Sequence, residues 1–252
     1  AAGSLLNGCA GEEGSITSVA SESTPTLTFR EATSNTGFTG RASSGQVVYD
    51  GKMWVIGGYD GTNLNNEAWS SDDGITWTQF PADASSDFSE RVSAGTVVYN
   101  NKIWIIGGIA VDASGDETYL QDVWSFDGTG WTEEATVAGF PARKNPHIFV
   151  HNNAIWFIGG KDMSDDVYND VYTSTDGVTW TGVTVVDPFT AVDHTASLVY
   201  NGYMWILGGF NEATNTAIYD TWYSTDGTSW TQGPDLDSDL KGHPYQFNGY
   251  LY

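Results

Sequence analysis

The sequence Met53-Trp54-Val55-Ile56-Gly57-Gly58 is the first of four copies of one pattern in this chain. The first glycines of successive pairs are 50, 52 and 49 residues apart. The other copies are Ile103-Trp104-Ile105-Ile106-Gly107-Gly108, Ile155-Trp156-Phe157-Ile158-Gly159-Gly160 and Met204-Trp205-Ile206-Leu207-Gly208-Gly209. Self-similarity at this period indicates a repeat architecture.

Each repeat contains signals for four short strands. An apolar run and a tight turn, such as Asp50-Gly51 or Asn201-Gly202, precede the copied stretch, and such dipeptides favour two-residue hairpins. A third strand carries Trp69, Trp124, Tyr172 or Trp222, and after a glycine-containing turn each repeat ends with Trp77, Trp131, Trp180 or Trp230. A four-stranded unit cannot bury both of its faces alone, so we expect neighbouring units to stack.

With the strand that ends in Gly-Gly, the later tryptophan, and an arginine 13 residues before the strand aromatic, the repeats resemble Kelch motifs. The resemblance implies an all-β fold, a Kelch-type β-propeller of four-stranded antiparallel blades. The complete repeats cover approximately 41–80, 91–134, 143–184 and 192–233. The chain departs from the family by a tryptophan where Kelch units commonly have tyrosine, and by Val192 at the arginine position of the fourth repeat.

Partial repeats lie at both ends of the propeller region, which we place at 26–252. Residues 26–33 read as an outermost strand, and residues 241–252 read as the start of a further repeat. Because propellers usually close by pairing their terminal strands, the sequence predicts four complete blades and two partial ones, as a fragment of a larger ring.

The first residues, Leu6-Asn7-Gly8-Cys9, resemble the end of a bacterial lipoprotein signal, although Asn7 departs from the usual choice. Cys9 is the only cysteine, so no disulfide can form within the chain, and lipidation would explain its presence. We therefore expect residues 1–9 to be a signal remnant, residues 10–25 a flexible tether, and the protein to be exported to the bacterial cell envelope or beyond the cell.

The charge balance excludes one class of partner. With 32 acidic residues against 9 lysines and arginines, the net charge is −23, and so few cations cannot neutralise a row of phosphates. We expect no nucleic-acid partner and no cofactor. The acids of the second-to-third strand loops could offer oxygen ligands to Ca²⁺, but no EF-hand-like run supports such a site.

Two sets of residues are candidates for ligand binding, and both lie in the loops that enter the first strand of a repeat. In Kelch proteins, which this chain resembles, arginines near the channel mouth often receive acidic groups, and a planar guanidinium suits a carboxylate. The alternative for these arginines is a salt bridge to a neighbouring blade. The candidates are Arg41, Arg91, Arg143, His147, His194 and His243.

A further repeated feature is an acid at the start of each third strand. Repetition at equivalent places means either a ring of carboxylates or several copies of one internal bond, and we favour a bond from backbone N–H groups of an adjacent loop. The four acids are Glu67, Asp122, Asp170 and Asp220.

The sequence contains no evident catalytic constellation, and three functions remain open. The favoured one is a non-catalytic propeller that binds a protein or a glycan through the loop face near the central channel. A carbohydrate-active enzyme similar to sialic acid mutarotases or sialidases is the first alternative. The second is a structural spacer at the cell surface.

Overall fold

The computed structural model describes residues 31–80, 88–112, 114–186, 189–191, 196–211, 216–236, 246–247 and 250–251. Each complete repeat forms one four-stranded antiparallel sheet whose strands are paired in chain order. The four sheets are the blades of a β-propeller, which confirms the predicted fold class.

The strand bounds follow the repeats closely. Blade 1 contains β1 (Gly45–Tyr49), β2 (Lys52–Ile56), β3 (Ala68–Ser71) and β4 (Thr78–Phe80). Blade 2 contains β5 (Gly95–Tyr99), β6 (Lys102–Val111), β7 (Glu117–Phe126) and β8 (Trp131–Ala135). Blade 3 contains β9 (His147–His151), β10 (Ala154–Lys161), β11 (Val167–Ser174) and β12 (Thr181–Val183). Blade 4 contains β13 (Ala196–Tyr200), β14 (Tyr203–Asn211), β15 (Thr216–Ser224) and β16 (Thr231–Gln232).

Two predicted end segments fall partly or wholly outside this description. Residues 26–30 of the expected outermost strand lie outside the described residues, as do the signal-like segment and the tether. In the expected further repeat, β17 (Gln246–Phe247) and β18 (Tyr250–Leu251) form a short antiparallel hairpin.

The hairpin between the first and second strand of each blade has the predicted two-residue turn. Asp50 and Gly51 have φ angles of 50° and 73°, and Asn201 and Gly202 have 50° and 79°. Asparagine and aspartate tolerate this left-handed region better than other side chains, which explains the residue types found there.

The Gly-Gly pairs lie where consecutive blades come together. Gly58 donates its backbone N–H to the carbonyl oxygen of Arg91 at 2.9 Å, and Gly108 does the same to Arg143 at 3.0 Å. A Cβ on Gly108 would lie 2.7 Å from the carbonyl oxygen of Val92, at a φ angle of 99°. A side chain at this position would therefore clash with the entry segment of its own blade.

The core consists of apolar clusters between neighbouring blades. The tryptophan of the second strand is buried in blades 1 to 3, at Trp54, Trp104 and Trp156. The glycine of a turn in the next blade contacts this ring: a Cβ on Gly177 would lie 2.2 Å from Trp104. These tryptophans and glycines thus act in packing, as large and small partners.

Polar ties also connect each blade to the next. The hydroxyl of Tyr99 donates to the carbonyl oxygens of Asn153 at 2.7 Å and Thr175 at 2.8 Å. In blade 3 the equivalent residue is His151, whose Nε2 lies 2.9 Å from the carbonyl oxygen of Thr225. Sequence analysis did not assign a role to this position.

The turns between the third and fourth strands are held by aspartates. In blade 3, Asp176 Oδ1 accepts backbone N–H bonds from Val178 at 2.8 Å and Thr179 at 2.7 Å. The bond from Thr179 is the main cause that lowers the Asp176 pKa below its usual value, and the turn aspartates Asp73 and Asp226 have lowered pKa values for the same kind of reason.

We predict that these three turns contribute to acid sensitivity. A carboxylate whose pKa is lower in the folded state stabilises the protein above its unfolded pKa, and this contribution is lost as the pH falls through the folded pKa. When the pH is lowered from about 5 to 3, the free energy of unfolding should decrease less in the triple variant Asp73→Asn, Asp176→Asn, Asp226→Asn than in the wild type. The reason is that asparagine still accepts hydrogen bonds but does not titrate. Urea unfolding at several pH values tests this, and parallel pH profiles for the two proteins would contradict it.

Candidate functional site

One end of the blades carries the candidate residues. We call this surface the loop face. Its described part consists of the second-to-third strand loops at 57–67, 112, 114–116 and 162–166, and the segments 38–44, 88–94, 140–146 and 189–191 that lead into the first strands. The tight turns of the opposite end form the turn face.

The three arginines pair with the repeated acids of their own blades. Arg91 forms a two-pronged contact with Asp122, with Nη1–Oδ1 at 2.8 Å and Nη2–Oδ2 at 2.7 Å. Arg143 contacts Asp170 in the same way, and Arg41 pairs with Glu67. The repeated acids thus bind guanidinium groups, so the expected bonds from backbone N–H groups do not account for them.

Each arginine also donates to a carbonyl group beside the glycine pair. The Nη1 atoms of Arg41, Arg91 and Arg143 lie 3.2, 3.1 and 3.2 Å from the carbonyl oxygens of Gly57, Gly107 and Gly159 respectively. The side chain therefore binds its own blade while the arginine backbone binds the preceding one. The alternative expected for these arginines was a salt bridge to a neighbouring blade. The structure instead has a salt bridge within the same blade.

Aromatic rings surround these ion pairs. The indole Nε1 atoms of Trp69 and Trp124 donate to Glu67 and Asp122 at 3.0 and 2.8 Å. The guanidinium carbon of Arg143 lies 3.7 Å from the ring centroid of Tyr168. Such packing shields the guanidinium groups from water and fixes the geometry of the pairs.

The arginine side chains are consequently hidden from solvent. Their exposed fractions are 2% for Arg41, 2% for Arg91 and 1% for Arg143. The ligand-binding role of these arginines stays a prediction, and a ligand would have to displace an existing carboxylate to reach them.

The candidate histidines are not brought together by the described residues. His147 is buried at the first residue of β9. His194 and His243 lie outside the described residues, as does Cys9.

Loop acids hold their own loops. Asp60 Oδ1 accepts the backbone N–H groups of Thr62 and Asn63, both at 2.8 Å, and these bonds lower its pKa, the one from Asn63 most. Asp162 accepts the Tyr168 hydroxyl at 2.7 Å, which is the main cause that lowers the Asp162 pKa and raises the Tyr168 pKa. In the described part of the chain, no group of three or more histidine, cysteine or acidic side chains is placed to hold a metal ion.

Exposed apolar side chains lie in or directly beside the second-to-third strand loops of blades 1 to 3. They are Tyr59, Val111 and Met163, with exposed fractions of 42, 38 and 65%. The sequence offered little signal for them, because their positions in the repeat differ from blade to blade.

Comparison with known families agrees with this geometry. Residues 90–127 match the Kelch motif, and residues 111–222 match a family described as DUF6242 beta propeller domain. The fold is a Kelch-type β-propeller. A comparison with curated proteins finds no match to this chain. Among the described residues of the propeller, no helix is long and apolar enough to cross a membrane.

We predict that the arginine pairs are essential to stability. Arg91→Ala should lower the free energy of unfolding by about 3 kcal/mol, because it leaves the largely buried Asp122 carboxylate without a counter-charge. Lys52→Ala is the control, since its contact with Asp72 is exposed and 3.7 Å long, and it should cost less than about 0.5 kcal/mol. Urea unfolding measures both values, and equal effects would show that the buried pair has no special importance.

Proposed function

We propose that this Kelch-type propeller is a non-catalytic binding protein that holds a protein or glycan ligand on its loop face. The observation that carries the proposal is the exposed apolar side chain that blades 1 to 3 each place beside loop carboxylates. Loops on a rigid scaffold are where binding residues concentrate, and exposed aromatic and methionine side chains are frequent interface anchors.

The internal contacts of the loop face indicate which of its residues hold the surface in place and which are free to contact a ligand. The aspartates at 60, 112 and 162 close their loops through backbone hydrogen bonds, and the arginine pairs fix the loops to the strands. A surface held in this way loses little conformational entropy on binding. The arginines therefore support the surface, whereas Tyr59 and Met163 are available to touch a ligand.

The loop-face proposal predicts where substitutions will weaken binding. Wild-type protein is screened on a glycan array and a displayed peptide library, and the best binder is measured against two variants. Tyr59→Ser combined with Met163→Ser should weaken it at least about tenfold, because interface anchors commonly contribute more than 1 kcal/mol each.

Ile75→Ser combined with Val178→Ser is the matched control, since both residues are exposed and lie on the turn face. This pair should leave the affinity unchanged. Equal weakening by both pairs, or by neither, would place binding elsewhere.

The proposed setting is the bacterial cell envelope, with Cys9 as a lipid anchor, as the lipobox-like residues before it suggest. Intact-mass measurement of protein extracted from membranes should show Cys9 carrying acyl chains, and Cys9→Ala should move the protein to the soluble fraction. An unmodified mass for membrane-extracted wild type would rule the anchor out.

A further inference from the structure

Blade 4 keeps the acid of the repeated ion pair but lacks the arginine. The position equivalent to Arg41, Arg91 and Arg143 is Val192, which lies outside the described residues. Asp220 stands where Glu67, Asp122 and Asp170 stand in the other blades. The sequence of this blade therefore retains a guanidinium acceptor without its donor.

The described cations do not replace the missing arginine. The three arginines pair with the acids of blades 1 to 3, and Lys52, Lys102 and Lys161 pair with Asp72, Glu134 and Asp165. Lys144 lies over the Tyr119 ring, with its Nζ 5.7 Å from the ring centroid. Asp220 accepts a single long hydrogen bond from the described residues, from Thr190 Oγ1 at 3.4 Å.

A second observation shows that the network of blade 4 is incomplete. In blades 1 and 2 the indole Nε1 of the third-strand tryptophan donates to the acid of the ion pair. The equivalent atom in blade 4, Trp222 Nε1, is buried and has no hydrogen-bond partner within the described part of the chain. A buried donor without a partner costs free energy, and in blades 1 and 2 it is the acid bound to the guanidinium that satisfies this donor.

The rest of the site is retained. Gly208 has the position whose carbonyl oxygen accepts Nη1 in the other three blades, and its φ angle of 60° matches the 61°, 62° and 61° of Gly57, Gly107 and Gly159. Phe189 has the position of Phe38 and Phe88, whose ring centroids lie 5.6 Å from the guanidinium carbons of Arg41 and Arg91. Among the described residues there are thus three filled examples of a guanidinium site and one example without a guanidinium.

We propose that Asp220, the Gly208 carbonyl group and the Phe189 ring form a site on the loop face of blade 4 for an arginine side chain of a partner polypeptide. The inference rests on the proposed loop-face function and names the partner chemistry for one blade. A guanidinium fits better than an ammonium, because it can bond both carboxylate oxygens and the carbonyl oxygen at once, as Arg91 does. The net charge of −23 favours the approach of a basic partner.

The direct test uses acetyl-Gly-Arg-Gly-amide as the probe at low salt. Its binding is followed by NMR through the Trp222 indole N–H signal, and compared with the same peptide carrying citrulline or lysine. The arginine peptide should shift the signal, and the citrulline peptide, which has the same shape without the charge, should bind at least about tenfold more weakly. The affinity of the lysine peptide should be intermediate between those of the arginine and citrulline peptides. Equal binding of the arginine and citrulline peptides would overturn the proposal.

Three variants of the full chain complete the test. Asp220→Asn should weaken binding of the arginine peptide at least about tenfold. Asp166 is an exposed acid in the loop of blade 3, and Asp166→Asn should leave binding unchanged. Val192→Arg should abolish peptide binding and raise the melting temperature, because it supplies the missing partner from within the chain. Unchanged binding in Asp220→Asn or in Val192→Arg would overturn the site, and Val192→Arg keeps the test valid if Asp220→Asn does not fold.

The outcomes separate this site from the proposed function. If the loop-face variants Tyr59→Ser and Met163→Ser weaken the screened ligand but the peptide does not distinguish arginine from citrulline, the loop-face function stands and the guanidinium site is wrong. If the peptide binds as expected and the loop-face variants have no effect, the proposal of a guanidinium site in blade 4 is retained and the proposal of ligand binding by Tyr59 and Met163 is rejected.

Discussion

The close approach of consecutive blades at the Gly-Gly pairs is the constraint on which the rest of this structure depends. At Gly58 and Gly108 the backbone N–H group reaches the arginine carbonyl oxygen of the next blade, and a side chain on either glycine would clash with the entry segment of its own blade. This contact brings the entry loop of one blade against the strand end of the preceding one. The arginine in that loop then turns back into its own blade, where the repeated acid binds it.

The repeated arginines and acids are therefore best understood as one structural unit. Both partners are needed because an isolated charge at such a buried place would be costly, whereas a two-pronged pair with an added carbonyl acceptor satisfies most of its hydrogen-bonding capacity. Arginine is rare in this chain, and the repeated arginines hold the loop face in place. The exposed apolar side chains of the loop face, Tyr59 and Met163 among them, do not recur at equivalent positions of the repeat.

Much of the fold could be predicted from the sequence because its signals are repeated. The Asp50-Gly51 turn and the strand before Gly57 each have counterparts in the other repeats, so a single ambiguous stretch did not matter. The pairing of Arg91 with Asp122 was harder to foresee, since the two residues are 31 positions apart and each looked meaningful by itself. The tie made by Tyr99 was missed because a tyrosine in an apolar run looks like ordinary core. The exposed loop residues could not be predicted, because nothing in their local pattern repeats.

The polar ties between blades connect each blade to the one that follows. The Tyr49 hydroxyl reaches Asn101, and His151 reaches Thr225. Stability in such an array is a sum of blade terms and neighbour terms, so a change in one loop alters the energy of its own blade and of the two adjacent ones. The long β6–β7 hairpin and the short loop after Gly58 can thus coexist in one molecule. Each blade can vary its share of the surface separately while the others keep their shape, which gives this architecture a modular way of acquiring new ligands.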